Sequence, residues 1–242
     1  MPYTPIQVID FGNVASASSI VTGSYTLTAG SRVQFWAMYA GGSDLTTSCT
    51  DTNGNTWSKV SGSGYASAGG MYYVAWECKN VTAGGSTVIT VALSSAASNR
   101  GVGGLETSGL DPTAAVQAYQ ANRQSAPGTG TDAITSANPT GMTPTSQPAM
   151  LLGFVQNESN GNTLSDGTGF TGYALPNCSV VNAGSLSRIQ QSRLTSTSAT
   201  ASTMTTLGGG QTVVSLAMIV SEYVAPAALD PITVIFPLED EE

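Results

Sequence analysis

Between Ile6 and Tyr223 the sequence is a succession of short runs rich in Val, Ile, Thr and aromatic residues, each closed by Gly, Asn, Ser or Pro. Apolar residues almost never recur at the 3.6-residue spacing of an amphipathic helix. A chain patterned this way buries its apolar side chains by pairing strands, which predicts an all-β fold. The expected strands cover 6–10, 19–28, 32–40, 45–50, 56–60, 71–78, 86–93, 100–107, 115–121, 149–157, 169–175, 186–194, 200–207 and 212–223. In the third, Val33, Phe35, Ala37 and Tyr39 alternate with Gln34, Trp36, Met38 and Ala40. Both faces are apolar enough for a central strand. So many short strands with so little charge suit two packed antiparallel sheets.

Composition narrows the function. Thr, Ser and Gly make up more than a third of the 242 residues, and only 9% are charged. Such low charge argues against disorder, and the length suffices for a core without disulfides or metals. The absence of histidine excludes Ser-His-Asp and Cys-His mechanisms and histidine metal sites. Cys49, Cys78 and Cys178 have no CxxC spacing, so no zinc site or self-contained disulfide framework is indicated. At least one thiol is free or intermolecular, and three reduced, mostly buried cysteines are the favoured reading. With Asn53-Gly54 as a two-residue hairpin turn, Cys49 would lie opposite Ser58, well along the strand from Cys78.

The net charge of −8 is uneven: Asp230, Glu239, Asp240, Glu241 and Glu242 crowd the last residues, and the body is nearly neutral. Lys59 and Lys79 are the only lysines and the arginines are scattered, so no basic stripe suggests nucleic acid or anionic lipid as a partner. The first residues carry no signal-peptide pattern and no stretch is long and apolar enough to span a membrane, which predicts a chain made as a soluble protein.

The stretch 124–148, rich in Gly, Pro, Thr and Ser, reads as a long excursion across an end or edge of the sandwich rather than a linker. A faint echo relates Gly30-Ser31-Arg32-Val33-Gln34-Phe35-Trp36-Ala37 to Gln147-Pro148-Ala149-Met150-Leu151-Leu152-Gly153-Phe154. It fits an approximate internal symmetry, and shared low complexity equally well. The expected organisation is one domain over 1–224 followed by an arm over 225–242.

Candidate chemistry is sparse. Asp51-Thr52-Asn53-Gly54-Asn55 has the alternating oxygens of a calcium loop, but Gly62 stands where the twelfth-position Glu would be, and a turn explains it first. No metal or cofactor is expected. The carboxylates Asp10, Asp44, Asp51, Glu77, Glu106, Asp111, Asp132, Glu158, Asp166 and Glu222 fall in no catalytic motif, so no catalytic residue is assigned and the chain is read as a non-enzyme. Trp36, Trp57, Trp76 and Tyr72 are candidate glycan contacts, since sugar rings stack on flat aromatic faces, although tryptophans within strands also serve as core filler. Ile232-Thr233-Val234-Ile235-Phe236, bracketed by Pro231 and Pro237, reads as a short strand that must add to a sheet edge. Ile232, Val234 and Phe236 would form its buried face, on its own sandwich or on a neighbour's.

Several segments carry a family likeness: Gly30-Ser31-Arg32-Val33-Gln34-Phe35-Trp36, Cys49 to Trp57, Met71-Tyr72-Tyr73-Val74-Ala75-Trp76 leading to Val81-Thr82-Ala83-Gly84-Gly85, and Gly103 to Pro112. With the strands at 151–155 and 213–223 and the turn at 167–173, they resemble a family of jelly-roll β-sandwich domains found in bacteriophage virion proteins and in bacterial surface proteins of unknown role. The resemblance implies a jelly-roll antiparallel β-sandwich and no catalytic signature. It also implies a non-enzymatic virion structural protein, a head-decoration or other exterior component, assembled in the host cytoplasm with copies of itself and other virion proteins. The alternative is a carbohydrate-binding adhesin of a tail fibre or bacterial surface, with host-surface glycans as partners.

Overall fold

In the computed structural model, residues 2–67, 70–124, 141–157, 163–178, 186–196, 198, 204–207 and 213–224 are described. Among them every regular element is a strand and every ladder is antiparallel. The strands are β1 (Thr4–Asn13), β2 (Ala17–Leu27), β3 (Arg32–Ala40), β4 (Thr46–Asp51), β5 (Ser58–Lys59), β6 (Tyr65–Ala66), β7 (Met71–Cys78) and β8 (Gly85–Ala97). They continue with β9 (Arg100–Ser108), β10 (Ala118–Gln124), β11 (Ala149–Asn157), β12 (Thr163–Asp166), β13 (Thr171–Ala174), β14 (Leu186–Leu194), β15 (Met204–Leu207) and β16 (Val213–Ser221).

They form four sheets rather than the two expected. One central sheet has the order β1-β9-β3-β7-β5, with β6 also on β7, and a second has the order β10-β16-β11-β14-β13. Smaller sheets β2-β8-β4 and β12-β15 complete the set. The reason lies in β3, whose side chains alternate between two separate cores. Phe35, Ala37 and Tyr39 pack with Ile20, Ile89 and Val91 of the small sheet, while Trp36 and Met38 pack with Phe154, Leu216 and Met218 of the other central sheet. A strand apolar on both faces needs a cover on each. β11 and β16 are buried at every position for the same reason: their outward residues Val155 and Val213 meet Leu164 of β12, and Ala149, Leu151, Ala217 and Ile219 meet Met142.

The two central sheets have the same winding. Each places its first strand beside its last, then a long central strand, then a strand toward the edge: β1-β9-β3-β7 in one, β10-β16-β11-β14 in the other. The sheets are stacked in opposite senses. The β1 edge lies near β13 and the loop after it, where Asp10 accepts from the backbone N–H of Asn177 (3.0 Å) and Cys178 (2.7 Å), and the β5 edge lies near β10. The sequence echo finds the right pair of strands, β3 and β11, one residue out of phase. It aligns Phe35 with Leu152, yet Phe35 faces the small sheet and Leu152 the shared interface.

The Asn53-Gly54 hairpin is also corrected. β4 pairs with β8, so Cys49 sits opposite Val91, and β5 joins the other sheet. Gly54 has φ +75°, yet the turn is fixed by side-chain bonds from Asp51, letting the chain cross between layers. All three cysteines are buried and free. Most of the 124–148 excursion and the whole 225–242 arm lie outside the described residues.

Candidate functional site

The reversed stacking leaves a groove at each edge of the interface between the central sheets. The larger, about 460 Å³, lies between Ser58–Gly62 with the end of β7 and the segment Ala115–Tyr119 entering β10. The opposite edge carries two smaller hollows of about 290 and 210 Å³, bounded by Tyr3–Val8, Thr171, Tyr173 and Gln191–Arg193.

The large groove is bounded by Glu77 and Lys79 and by the β5 edge at Lys59, whose ammonium turns to the other face of the sheet. Glu77 is buried and ion-pairs with Arg32, itself only 1% exposed, and Arg32 also donates to the Asp111 carbonyl (2.7 Å). Lys79 stands 3.9 Å from the other Glu77 oxygen. Lys59 pairs with Asp44 at 2.6 Å, donates to the Thr46 carbonyl at 3.1 Å and lies 5.5 Å from the centre of the Trp76 ring. Partial burial opposes ionisation of Asp44, but Lys59 and the Thr46 N–H and hydroxyl outweigh it and hold the carboxyl below its ordinary range. Burial pushes the Tyr119 hydroxyl well above its usual range, against the opposing contact with Trp36.

At the opposite edge Arg193 grips Glu222 through two bonds of 2.6 and 2.9 Å, and the Tyr3 hydroxyl donates to Gln191. Burial, then the Glu222 charge, push the Tyr3 phenol upward. The hollow around Ile6, Val8, Leu105 and Tyr173 is mainly apolar.

The remaining carboxylates have structural duties. Asp51 accepts from the N–H groups of Asn53 (2.9 Å) and Asn55 (3.1 Å) on one oxygen, and from the Asn55 amide (3.0 Å) and the Trp57 indole (2.8 Å) on the other. Asn55 in turn accepts from the N–H groups of Thr82 and Ala83, both at 2.9 Å. This carboxylate, the calcium candidate of the sequence, therefore spends both oxygens on the loop itself. No group of three or more metal-ligating side chains exists among the described residues. Glu106, fully buried, accepts from the Thr28 N–H (2.7 Å), the Ser31 hydroxyl (2.6 Å) and the Gln7 amide. Asp166 holds Arg188 through bonds of 2.5 and 2.7 Å, and Asp111 caps the turn at Thr113 and Ala114. Asp132 and Glu158 lie outside the described residues.

The glycan candidates are not brought together. Trp36 is fully buried between the central sheets, stacked on Phe154 at 5.5 Å between ring centres. Trp57, Trp76 and Tyr72 lie on the other face of the same sheet: Trp57 against Phe35 (5.4 Å), Tyr72 against Tyr39 (5.8 Å), Trp76 in the core. Ile232, Val234 and Phe236 fall outside the described residues. Sequence reasoning missed that Lys59, Lys79 and Glu77 sit along one sheet edge, with Lys79 beside Glu77 and the Lys59 ammonium on the other face. Lys59 and Lys79 are 20 positions apart, and only the β5–β7 register, Ser58 opposite Glu77, brings them to one edge. Compared with models of known protein families, with curated proteins and with solved structures, the chain shows no match in any of the three.

Proposed function

We propose that the protein is a non-enzymatic structural component of a bacteriophage particle, a head-decoration or other exterior protein, built of two jelly-roll sandwiches packed back to back. The observation that carries this reading is the repeated strand order. β1-β9-β3-β7 facing β2-β8-β4 follows the winding of a jelly roll, and β10-β16-β11-β14 with β12-β15 repeats it. Stacked pairs of such sandwiches make a stiff block with little charge, a form suited to lattices of repeated copies. The non-enzymatic part is supported by the carboxylates: each one in the described body holds a loop, a turn or an arginine. The rival reading, an adhesin using Trp36, Trp57, Trp76 and Tyr72, has less support because these rings lie on two faces of one buried sheet. In this proposal Ile232, Val234 and Phe236 add a strand to a neighbouring copy or particle protein.

The test is copurification with intact particles. A constant stoichiometric ratio to the major shell protein is the expected result. Recovery only as free protein would overturn the proposal, and specific retention on a glycan array by the full chain would replace it with the adhesin.

A further inference from the structure

A sheet edge offers a row of backbone donors and acceptors that can pair with another strand. Among the described residues the edges of the two central sheets are β1, β10 and β13, of ten, seven and four residues, and the two-residue strands β5 and β6. β1 is the longest; its one charged residue is Asp10, and Ile6 is 41% exposed. In the ladder with β9, Val8, Asp10 and Gly12 stand opposite Leu105, Gly103 and Gly101. Antiparallel pairs alternate between bonded and unbonded, so these three residues share one state, and Asp10 shows which. Its N–H donates to the Tyr25 hydroxyl at 2.9 Å, and its carbonyl accepts from that hydroxyl at 2.8 Å. The backbone groups of Val8, Asp10 and Gly12 therefore point off the sheet along one edge, and no described residue bonds to those of Val8 or Gly12.

Two ties fold β2 across β1 and set Tyr25 in place. The Gln7 amide donates to the Thr26 carbonyl at 2.7 Å, and Arg100 donates to the Ala15 carbonyl at 2.9 and 2.8 Å and to the Ser19 carbonyl. Tyr25 thus reaches into the lane beside β1, about 4.8 Å away, where an added strand would run. One hydroxyl occupies both backbone groups of the middle residue of the open row. We propose that β1 is a self-association edge held shut by Tyr25: with the hydroxyl in place no strand pairs along it, and with the hydroxyl withdrawn β1 pairs antiparallel with β1 of a second copy. A second copy is the occupant that fits. Antiparallel pairing of a strand with itself about a two-fold axis closes both edges at once. The one charge, Asp10, already has its oxygens engaged by the N–H groups of Asn177 and Cys178, so little repulsion opposes the pairing. The lock does not depend on the particle assignment.

The test is amide hydrogen exchange with sedimentation on the full chain. In the parent the Asp10 amide should exchange about tenfold or more slower than those of Val8 and Gly12, which face the same edge. Equal rates at the three would overturn the lock, and this comparison needs no variant to fold. Tyr25→Phe removes both bonds and releases the ring from the edge. In dilute solution its Asp10 amide should quicken to the rate of its neighbours, and as concentration rises all three should become protected together while a dimer appears. Adding Ile6→Lys, which places a charge on the opened edge, should abolish that dimer and leave the Asp10 amide fast. An Asp10 amide as slow in Tyr25→Phe as in the parent would overturn the part given to Tyr25. A fast Asp10 amide with no protection at high concentration would overturn the second copy as occupant.

Discussion

Strand β9 brings Gly101, Gly103 and Gly104 to the middle of one central sheet, whereas β16, which holds the same place in the other, brings Leu216, Ala217 and Met218. A Cβ on Gly103 would stand 2.6 Å from the Phe154 ring and 2.9 Å from Leu175, so the missing side chain is the hollow into which the second sheet's Phe154 fits. Phe154 then stacks on Trp36 and tilts against Tyr73, whose hydroxyl donates to Gln156 at 2.5 Å. At this point the first sheet supplies the hollow and the second the knob, while Trp36 and Met38 of the first pack against the second in turn. The missing side chain on β9 lets two sheets of identical winding approach closely there.

The largest expected effect breaks that asymmetry. Phe154→Ala should cost about 3–5 kcal/mol in denaturant unfolding. Gly103→Val, which fills the same space from the other side, should cost about 1–3 kcal/mol. The double variant should be more stable than the sum of the two losses by on the order of 1 kcal/mol or more, because each change makes room for the other. Strict additivity would show that the two sheets do not share this contact.

Next in size is Asp51→Ala, which removes the acceptor of four hydrogen bonds and should cost about 1.5–3 kcal/mol. Hydrogen exchange should quicken at 52–57 and 82–83 and stay unchanged in β11 and β16. Loss of protection across the second sheet would mean that the halves unfold as one unit. Chelators should leave the melting temperature of the parent protein unchanged, and a chelator-induced fall would restore the loop as a metal site.

Alkaline pH should act on both halves. Burial first, then neighbouring charges, push the Cys78 thiol up to about 11, and push Cys49 and Cys178 up as well. A thiol that ionises near its ordinary 9.0 when unfolded, but only near 11 when folded, stabilises the fold below pH 9. That contribution is lost as pH rises through 11, because the unfolded chain then releases the proton more readily. Melting temperature should therefore fall between pH 9 and 11, and Cys78→Ala should flatten part of that fall. The smallest effect is expected at the exposed edge: Lys59→Ala should cost less than about 1 kcal/mol, since its ion pair with Asp44 is solvent-screened. A larger loss would show that Lys59 supports the sheet through Trp76.

Much of the strand set was legible because alternation and turn residues are local signals. β3, β7, β9, β11, β14 and β16 fall within a residue or two of their expected bounds. β6 and β12 were not anticipated; each is short, and its identity as a strand depends on the partner it meets, β7 and β15. The mistaken hairpin at Asn53-Gly54 has a similar cause: the dipeptide favours a turn, but the Asp51 side chain directs the chain into another layer. For the candidate groove, only the scarcity of lysine could be read beforehand.

The amino-acid order by itself determined an all-β chain, a β3 apolar on both faces and a body without histidine chemistry, because each follows from residue type and near-neighbour spacing. Tertiary structure alone decided that β3 is covered by two different sheets, that Gly103 receives Phe154, and that Lys59, Lys79 and Glu77 share one edge. These depend on register and on which sheets stack, quantities set by the packing of residues far apart in sequence, so no local pattern encodes them.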